Sequence, residues 1–513
     1  MSTKKRTLPP RDVCPKGSSP LLRSVCVPIT ARTAKEALRS AFEASQRVRW
    51  VEFRLDYLNS ENEIEKVFRG VRLRLHRGNH FIFTLRRKDA GGFYQGTIAQ
   101  QAGWLCRAAH LGDWIDLEIE SARLIGTSIL QAWRQLGARI ILSHHNFAET
   151  PKDLHGAAGY LLEFQPDLVK IATQTQTIAD GVRLLDLQQW LHHRKCRSVV
   201  LGMGPSGLFT RVLGPAHGAE FTFGTLRHEK QSAPGQPTVD ELQSQYRIQL
   251  INSRTQLFGI LGFPLSHSLS PRLYNVAFQK LKMDAVYLPF ECATLDGFQT
   301  WTSKLHLRGL AVTLPHKSNV LKYVSTTEPL AKKIGAVNTL KRRGNRWQAF
   351  NTDFHGIEQA VAESKIPLKN ARVLLLGAGG AARAAAALLK RKKSKVSIFN
   401  RTFKSARSLA REFGHHAVHW KDVQGQTFDL IINATPVGMW PNTEGRPIDL
   451  SRVKTRAVFD MVYKPLQTAL LKGARRRGIK IVPGIKMFQA QAQRQFEILT
   501  GRRLPKSALK SIS

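Results

Sequence analysis

The first 230 residues alternate short apolar runs with longer segments whose hydrophobic positions recur every three or four residues. The short runs are apolar almost throughout, which is typical of parallel strands covered by helices. Eight such units in one domain predict a closed (β/α)8 barrel. The predicted strands are LRSVCVPIT, VRWVEFRLD, HFIFTLR, DWIDLEIE, ARIILSHH, DLVKIAT, SVVLGMG and EFTFGTL.

The alternation continues beyond residue 257 in two further α/β units. In the last of them, RVLLLGAGG is followed by an alanine-rich helical segment and then by KVSIFNRT, FDLIINAT and AVFDMVY. Strands that alternate with helices in this way predict a doubly wound nucleotide-binding domain of the Rossmann type. We predict a flexible basic tail at 1–19, the barrel at 20–250, a substrate-binding α/β domain at 257–360, the Rossmann domain at 361–483, and a C-terminal helical segment at 484–513 that returns to the substrate domain.

The formal net charge of +41 is high enough to attract polyanions. Its basic residues are spread over the whole chain, with only small clusters such as LKRKKSK and GARRRGIK. No zinc finger or basic stripe interleaved with aromatic residues occurs. We therefore favour a solvated cationic surface over specific nucleic-acid binding, and we expect small molecules as partners.

The five cysteines are scattered, odd in number and form no Cys-x-x-Cys pair. This pattern indicates free thiols in a reducing compartment rather than a zinc site or a disulfide framework. No apolar run reaches the roughly 18 residues of a membrane span. The basic N-terminus lacks the apolar segment of a secretory signal. We predict a cytoplasmic protein without a metal site, whose oligomeric state stays open.

A lysine, Lys170, interrupts the apolar sixth strand near its carboxyl end. Desolvation there would lower the pKa of the amine, as an imine-forming lysine requires. The alternative is a lysine that extends its ammonium group to water. His145, at the end of the preceding strand, is a candidate general base. Arg211 and the loop SAPGQ offer an anion clamp and short polar donors.

These motifs resemble type I 3-dehydroquinate dehydratase over about residues 20 to 245, through VEFRLDYL, FTLRR, SHHNF, LVKIA, GMGPSGLFTR and SAPGQ in this order. The resemblance implies a Schiff base between Lys170 and the C3 carbonyl of 3-dehydroquinate. His145 would then remove the C2 proton, and the C1 hydroxyl would leave as water. The resemblance also implies that the substrate is held by Glu52, Arg54, Arg86, Arg211, Ser232 and Gln236.

One position departs from that family. The family usually has a glutamate before the paired glycines, where it helps to orient the base histidine, and this chain has Ala90 in RRKDAGG. The side chain of Asp89 would point away from the histidine, although Glu52 could take over the role of the missing glutamate. We expect the loss to reduce the rate without abolishing the chemistry, because an unoriented histidine more often populates the wrong tautomer.

The segment RVLLLGAGGAARAAAALLK has the strand, glycine turn and helix of a dinucleotide site. Gly377 permits the tight turn, and Gly379 lets the backbone approach a pyrophosphate. About twenty residues on, where NAD enzymes have an acidic residue, this chain has FNRTFKSAR. Arg401 can pair there with a 2′-phosphate, so the predicted cofactor is NADP.

Upstream of this turn, Lys317 follows a predicted strand in GLAVTLPHK, and Asp353 lies on a loop in AFNTDFHG. An opposed lysine and carboxylate can exchange a proton with a carbinol. In isolation the two residues could equally form an ordinary surface ion pair.

The second half resembles shikimate dehydrogenase over about residues 257 to 500, through PLSHSLSP, VTLPHK, GAVNTL, NTDFHG, GAGGAARA, NATPVGM and DMVYKPLQT. The resemblance implies proton transfer by Lys317 and Asp353. It implies a substrate held by Ser268, Ser270, Thr313, Asn338, Tyr463 and Gln491. It also implies cofactor contacts from Gly377, Ala378, Gly379, Gly380, Ala381, Asn400, Arg401, Thr402, Lys404, Met461, Gly484 and Met487.

The two resemblances concern consecutive reactions, because 3-dehydroshikimate is the product of one and the substrate of the other. They imply a bifunctional shikimate-pathway enzyme that converts 3-dehydroquinate to shikimate with NADPH. The alternative is a dehydrogenase active on quinate or shikimate, with a barrel that is catalytically impaired, regulatory or only a binding module.

Overall fold

The computed structural model describes residues 22–74, 78–233, 235–266 and 268–512. The predicted tail at 1–19 lies outside these residues. The chain divides into two compact units, one ending at Leu250 and one starting at Ile251, with residues 177–182 grouped with the second. Among the described helices, none combines the length and apolar character needed to cross a membrane.

The first unit is an eight-stranded parallel barrel, nearly closed, as the alternation predicted. The strand order is β7-β6-β5-β4-β3-β2-β1-β8, so β7 and β8 end the ladder. The strands are β1 Leu22–Ile29, β2 Val48–Arg54, β3 His80–Thr84, β4 Trp114–Glu118, β5 Arg139–Asn146, β6 Leu168–Gln174, β7 Ser198–Met203 and β8 Thr222–Phe223. The helices are α1 Ala34–Ser45, α2 Glu61–Arg74, α3 Ile98–Ala109, α4 Ile119–Ile125, α5 Thr127–Gln135, α6 Leu154–Leu162, α7 Ile178–His193 and α8 Leu208–Leu213.

Strand alternation separates an apolar floor of the barrel from a polar mouth. Every second residue of a strand faces the same way, so Trp50, Glu52 and Arg54 of β2 all point inward. The indole of Trp50 packs 5.3 Å from that of Trp114 and 4.7 Å from the ring of Phe221. Glu52 and Arg54 follow at the carboxyl end, where barrels of this kind place their chemistry.

The second unit begins with a six-stranded mixed sheet of order β10-β9-β11-β13-β14-β12. Its parallel core, β10-β9-β11, is extended by the antiparallel strands β13 and β14. The strands are β9 Gln256–Gly262, β10 Ala285–Glu291, β11 Gly309–Val312, β12 Thr326–Thr327, β13 Thr339–Arg343 and β14 Arg346–Phe350. The helices are α9 Ser270–Lys280, α10 Phe298–Lys304, α11 Pro329–Ile334 and α12 Asp353–Glu363.

A Rossmann sheet follows, with all neighbouring strands parallel and the order β17-β16-β15-β18-β19-β20. The strands are β15 Arg372–Leu376, β16 Lys395–Phe399, β17 His416–Ala417, β18 Thr427–Asn433, β19 Lys454–Asp460 and β20 Lys480–Pro483. The helices are α13 Gly380–Arg391, α14 Phe403–Phe413, α15 Trp420–Val423, α16 Ala469–Arg476, α17 Gly484–Thr500 and α18 Lys506–Leu509.

The long helix α17 is attached to the mixed sheet by buried hydrogen bonds. Gln495 donates to the carbonyl of Asn338 and to Oγ1 of Thr339, both at 2.8 Å. A Cβ added at Gly356 would lie 2.8 Å from Cβ of Gln491, so this glycine lets α12 and α17 approach closely. The domain boundaries given above stay a prediction.

Candidate active sites

A cavity of about 80 Å³ opens at the carboxyl end of the barrel strands. Lys170 on β6 and His145 on the neighbouring strand β5 both reach it, because Ser143 and His145 pair in register with Lys170 and Ala172. All eight residues predicted for the first site line this cavity: Glu52, Arg54, Arg86, His145, Lys170, Arg211, Ser232 and Gln236.

The amine of Lys170 is buried but has carboxylate partners. It donates to Oδ2 of Asp116 at 2.7 Å, lies 3.6 Å from Oε1 of Glu52, and stands 4.5 Å from the ring centroid of Phe223. The sequence predicted an amine among apolar neighbours, whereas the structure pairs it with a buried acid. The reason is the alternation of β4, which points Asp116 into the barrel.

Asp116 is the centre of a buried ionic network. Arg86 donates to Asp116 at 2.6 Å, to Glu118 at 3.1 Å and to Oγ of Ser143 at 2.7 Å. Burial alone would raise the pKa of Asp116, but the charges of Arg86 and Lys170 outweigh it, and the pKa lies well below its ordinary value.

Asp116 and Glu118 were missed by the sequence reasoning. The signal was present in DWIDLEIE, where two acidic residues stand on the same side of an otherwise apolar strand. Buried charges of this kind are paired in folded proteins. The pattern therefore predicts a cationic side chain inside the barrel.

His145 is half-buried, and its ring stacks on that of Phe147 with centroids 5.9 Å apart. Desolvation, followed by the charges of Arg86 and Lys170, lowers its pKa well below the ordinary value. The imidazole is therefore neutral at neutral pH, as a general base must be. Its Nδ1 is buried and has no hydrogen-bond partner within the described part of the chain.

The position that could orient His145 is taken by Ala90, which lines the same cavity. Asp89 pairs instead with Arg87 at 2.5 Å and is two-thirds exposed. Glu52, the other candidate substitute, accepts a hydrogen bond from Thr84 at 2.6 Å. Among the described residues, no carboxylate forms a hydrogen bond or ion pair with His145.

Two arginines of the cavity differ in their pairing. Arg54 forms a two-pronged contact with Asp56, at 3.0 and 2.8 Å. Arg211 is only 3% exposed and has neither an ion pair nor a hydrogen bond among the described residues. Burial lowers its pKa to about 10. An unpaired buried guanidinium that faces a cavity is suited to a carboxylate ligand.

Ser232 and Gln236 are further polar residues of this cavity, and we call them, together with Arg211, Arg54 and Arg86, the polar wall. Oε1 of Gln236 accepts hydrogen bonds at 3.1 Å from both the amide and the hydroxyl of Ser232. Nε2 of Gln236 is buried without a partner among the described atoms. This amide can therefore donate to a hydroxyl or carboxylate oxygen in the cavity.

A second cavity, of about 140 Å³, lies in the second unit. Nζ of Lys317 contacts Oδ2 of Asp353, and Nδ2 of Asn338 donates to the other carboxylate oxygen at 2.9 Å. The aspartate is thus fixed from two sides. The predicted residues that line this cavity are Ser270, Thr313, Lys317, Asn338, Asp353, Ala381, Met461, Tyr463, Gly484, Met487 and Gln491.

Ser268 lies outside that lining but hydrogen-bonds Tyr463. Burial raises the pKa of Tyr463 to about 12, although the hydrogen bond from Ser268 opposes the rise. The phenol is therefore a hydrogen-bonding group, not an acid, at neutral pH.

A cleft of about 700 Å³ adjoins this cavity. Lys404 is exposed on α14 and does not line the cleft, whereas Gly484 and Met487 face the smaller cavity. The predicted cofactor residues that line the cleft are Gly377, Ala378, Gly379, Gly380, Ala381, Asn400, Arg401, Thr402 and Met461.

The cleft fits a dinucleotide with a 2′-phosphate. Gly377 has φ +106°, a conformation that glycine tolerates best, and a Cβ added at Gly379 would meet nothing within 4 Å. No carboxylate is among the cleft-lining residues. Arg401 is exposed, and no carboxylate of the described residues pairs with it.

Lys317 lines both the cavity and the cleft. Its side chain packs against the start of α13, where a Cβ added at Gly380 would lie 2.8 Å from Cβ of Lys317. Glycine at this position therefore allows the lysine to stand between the two compartments.

Comparisons with known proteins agree with this two-part arrangement. The family model of type I 3-dehydroquinase matches residues 25–253. The model of the shikimate dehydrogenase substrate binding domain matches residues 260–340, and that of shikimate/quinate 5-dehydrogenase matches residues 360–438.

Individual relatives cover either the whole chain or its second half. The chain is 35% identical over 505 residues to the bifunctional 3-dehydroquinate dehydratase/shikimate dehydrogenase, chloroplastic, of Arabidopsis thaliana, which covers 94% of this chain and 83% of that protein. It is 37% identical to a shikimate dehydrogenase (NADP(+)) of Methanococcus maripaludis, over 49% of this chain and 94% of that protein. The crystal structure of shikimate 5-dehydrogenase from Thermus thermophilus with NADP(H) and shikimate is 34% identical, covers 50% of this chain and 98% of that one, and has a TM-score of 0.46.

Proposed function

Because the chain belongs to the bifunctional 3-dehydroquinate dehydratase/shikimate dehydrogenase family, we propose that it converts 3-dehydroquinate to shikimate in two steps. The barrel dehydrates 3-dehydroquinate, and the second unit reduces the resulting 3-dehydroshikimate with NADPH. The boundaries at 20–250, 257–360, 361–483 and 484–513 are part of this proposal.

In the barrel, Lys170 condenses with the C3 carbonyl to give an imine and one water molecule. The imine withdraws electrons from C2, and His145, whose neutral imidazole faces the cavity, takes the C2 proton. The C1 hydroxyl then leaves as water with that proton. Asp116 accepts a hydrogen bond from Nζ of Lys170 and so holds the amine at the carbonyl site, and hydrolysis of the imine returns the amine.

Substrate orientation in the barrel is assigned to the polar wall. Arg211 binds the carboxylate because it is the buried arginine without a protein partner. Ser232 and Gln236 contact ring hydroxyls, whereas Arg54 and Arg86 are held by acidic residues and shape the cavity. Glu52 lies beside Lys170 and is the second carboxylate within reach of its amine.

In the second unit, bound NADPH supplies the hydride. Lys317 gives a proton to the carbonyl oxygen of 3-dehydroshikimate, and Asp353 keeps the lysine in place. Ser268, Ser270, Thr313, Asn338, Tyr463 and Gln491 hold the hydroxyls and the carboxylate. The glycine turn at 377–380 receives the pyrophosphate, and Asn400, Arg401 and Thr402 receive the 2′-phosphate, with Met461, Gly484 and Met487 on the nicotinamide side.

The observation that carries the proposal is the pair of Lys170 and His145 at one cavity with the unpaired Arg211. Borohydride reduction in the presence of 3-dehydroquinate should add to the peptide that contains Lys170 the mass of the bound ketone less one oxygen atom, because imine formation releases water and reduction adds two hydrogens. Lys170→Met should remove this adduct. Trapping at another residue, or no adduct at all, contradicts the imine.

Crossed variants test the two steps separately by the loss of NADPH absorbance. Lys170→Met should stop NADPH oxidation from 3-dehydroquinate but not from 3-dehydroshikimate. Lys317→Ala should stop both, while water elimination continues. If Lys170→Met still oxidised NADPH from 3-dehydroquinate, the assignment of the first step would be wrong.

A dehydrogenase that acts on quinate, with an impaired barrel, is the second candidate, favoured only by the missing glutamate at Ala90. Turnover with quinate above that with shikimate, together with no borohydride adduct, would establish it.

We also place the protein in the cytoplasm, since all four cysteines in the described part are free thiols and thiols persist in reducing compartments. Cell fractionation tests that placement.

A further inference from the structure

The two basic clusters of the sequence, LKRKKSK and GARRRGIK, lie on the same edge of the Rossmann sheet. In a parallel doubly wound sheet, strand starts and the ends of the crossover helices lie on the edge opposite the ligand cleft. Four of the six strands start with a basic residue: Arg372 on β15, Lys395 on β16, Lys454 on β19 and Lys480 on β20. All four are exposed.

The register places two of these four residues side by side. Arg372 is paired with Lys395 across β15 and β16. On the other side, Ala457, three residues into β19, is paired with Lys480 of β20. Lys454 therefore lies about 10 Å before Lys480 along the strand direction. It is paired with Thr427, the first residue of β18, so the basic strand starts form two groups on this edge, one on each side of β18.

Two helices add their basic ends to this edge. Helix α13 finishes with Lys390 and Arg391, and α16 finishes with Arg475 and Arg476. Lys390, Arg475 and Arg476 are exposed and have no carboxylate partner in the described part of the chain. LKRKKSK and GARRRGIK therefore contribute to the same edge of the sheet from opposite faces, because α13 packs on one face and α16 on the other. We call the four strand starts and these helix ends the basic edge.

Acidic residues neutralise only a few of these charges. Among the described residues, the member of the basic edge with an ion pair is Arg391, at 2.6 Å from Glu358, and Asp429 accepts a hydrogen bond from the backbone amide of Arg372 at 2.9 Å. The basic edge thus retains a strong positive field, and it faces away from the cofactor cleft.

We propose that the basic edge binds the phosphate backbone of double-stranded nucleic acid without sequence preference. A row of ammonium and guanidinium groups suffices for contacts to a duplex backbone. Single strands would require aromatic stacking platforms, and a stable membrane anchor would require apolar side chains. None of the strongly exposed large hydrophobic residues of the described chain belongs to the basic edge.

The test is fluorescence anisotropy of the full chain with a labelled 20-base-pair duplex of arbitrary sequence, between 50 and 200 mM salt. The edge variant is Lys390→Glu, Lys395→Glu, Arg475→Glu and Arg476→Glu. The control removes the same charge from the mixed-sheet domain, with Lys332→Glu, Lys333→Glu, Arg343→Glu and Arg346→Glu, which are also exposed.

The edge variant should bind about a hundredfold more weakly at 50 mM salt, and its log–log salt slope should be shallower by about three to four, since each lost phosphate contact removes roughly 0.9. The control should lose less than about threefold, and both should keep dehydrogenase activity. Equal losses in edge and control would overturn the proposal, as would absence of duplex binding at 50 mM salt or tighter binding to phosphatidylserine vesicles or to an acidic peptide.

A second measurement uses the unmodified sequence and so does not depend on the folding of a variant. Lysine acetylation, read by mass spectrometry, should be slowed by the duplex at Lys390, Lys395, Lys454 and Lys480 but not at Lys332 and Lys333. Protection spread evenly over both groups would overturn the assignment to the basic edge.

Discussion

Replacing Arg211 by methionine should stabilise the free protein while it weakens the binding of 3-dehydroquinate by the barrel. Burial lowers the pKa of this guanidinium from its ordinary value to about 10. At 1.36 kcal/mol per pKa unit, that depression corresponds to about 3 kcal/mol. At neutral pH the group is charged in both the folded and the unfolded chain, so the whole cost falls on the folded state. Arg211→Met should therefore raise the free energy of unfolding by up to about 3 kcal/mol.

The functional cost follows from the same geometry. Removing one partner of a buried, hydrogen-bonded charge pair costs about 2 to 5 kcal/mol, so the KM for 3-dehydroquinate should rise by about thirtyfold or more. Urea denaturation of the ligand-free variant measures the first effect, and the ultraviolet absorbance of the enone product measures the second.

Arg54→Met is the matched control, because Arg54 lines the same cavity but is paired with Asp56. Its loss leaves a fully buried carboxylate without a cation, which should destabilise the fold by about 3 to 5 kcal/mol. The two arginines should thus change stability in opposite directions. If Arg211→Met were less stable than the parent and its KM were unchanged, the interpretation of Arg211 as an unpaired substrate clamp would be refuted.

Three further predictions concern the two sites. Ala90→Glu should raise the dehydratase kcat several-fold by giving Nδ1 of His145 a carboxylate, and Ala90→Leu, which lacks the charge, should not; equal effects would argue against orientation. Because the pKa of His145 is lowered, the neutral base persists on acidification, so kcat/KM for dehydration should stay flat from pH 8 to 6 and decline only below; an acid limb at pH 6.5 or higher would show that the histidine is not desolvated as described. Arg401→Ser should raise the KM for NADPH at least about tenfold and leave the KM for NADH almost unchanged, since only the phosphorylated ribose loses a partner; a parallel rise for both coenzymes would place Arg401 elsewhere.

Periodicity predicted the barrel and the Rossmann sheet because both follow simple rules of strand alternation and coverage. Strands of the barrel read as apolar runs since they are covered on both faces, and Gly377 with its flanking strand and helix marked the Rossmann turn. The barrel site was also predictable as a set, because carboxyl ends of parallel strands converge. Lys170 and His145 needed no more than their places at the ends of adjacent strands.

The electrostatic partners were harder to predict. A lysine in an apolar strand suggests desolvation. Its actual surroundings also depend on which side chains of the neighbouring strands face the inside of the barrel. Those side chains are set by the register between β4, β5 and β6, which is a property of the tertiary structure. The prediction therefore lacked Asp116 as the partner of Lys170. Lys404, which follows Arg401 in FNRTFK, is exposed on α14 outside the cleft lining, and its contact with the phosphate stays a prediction.

The absence of a side chain at Gly380 would couple coenzyme affinity to the acid catalysis that we propose for Lys317. Any side chain there would displace the proton donor of the second reaction as well as crowd the coenzyme, so a substitution intended to weaken only nucleotide affinity would also shift the acid. Kinetic data from variants of the glycine turn would then overstate how much the contacts to the dinucleotide contribute to its affinity. A change of coenzyme would instead require substitutions in the part of the cleft that receives the ribose 2′-phosphate.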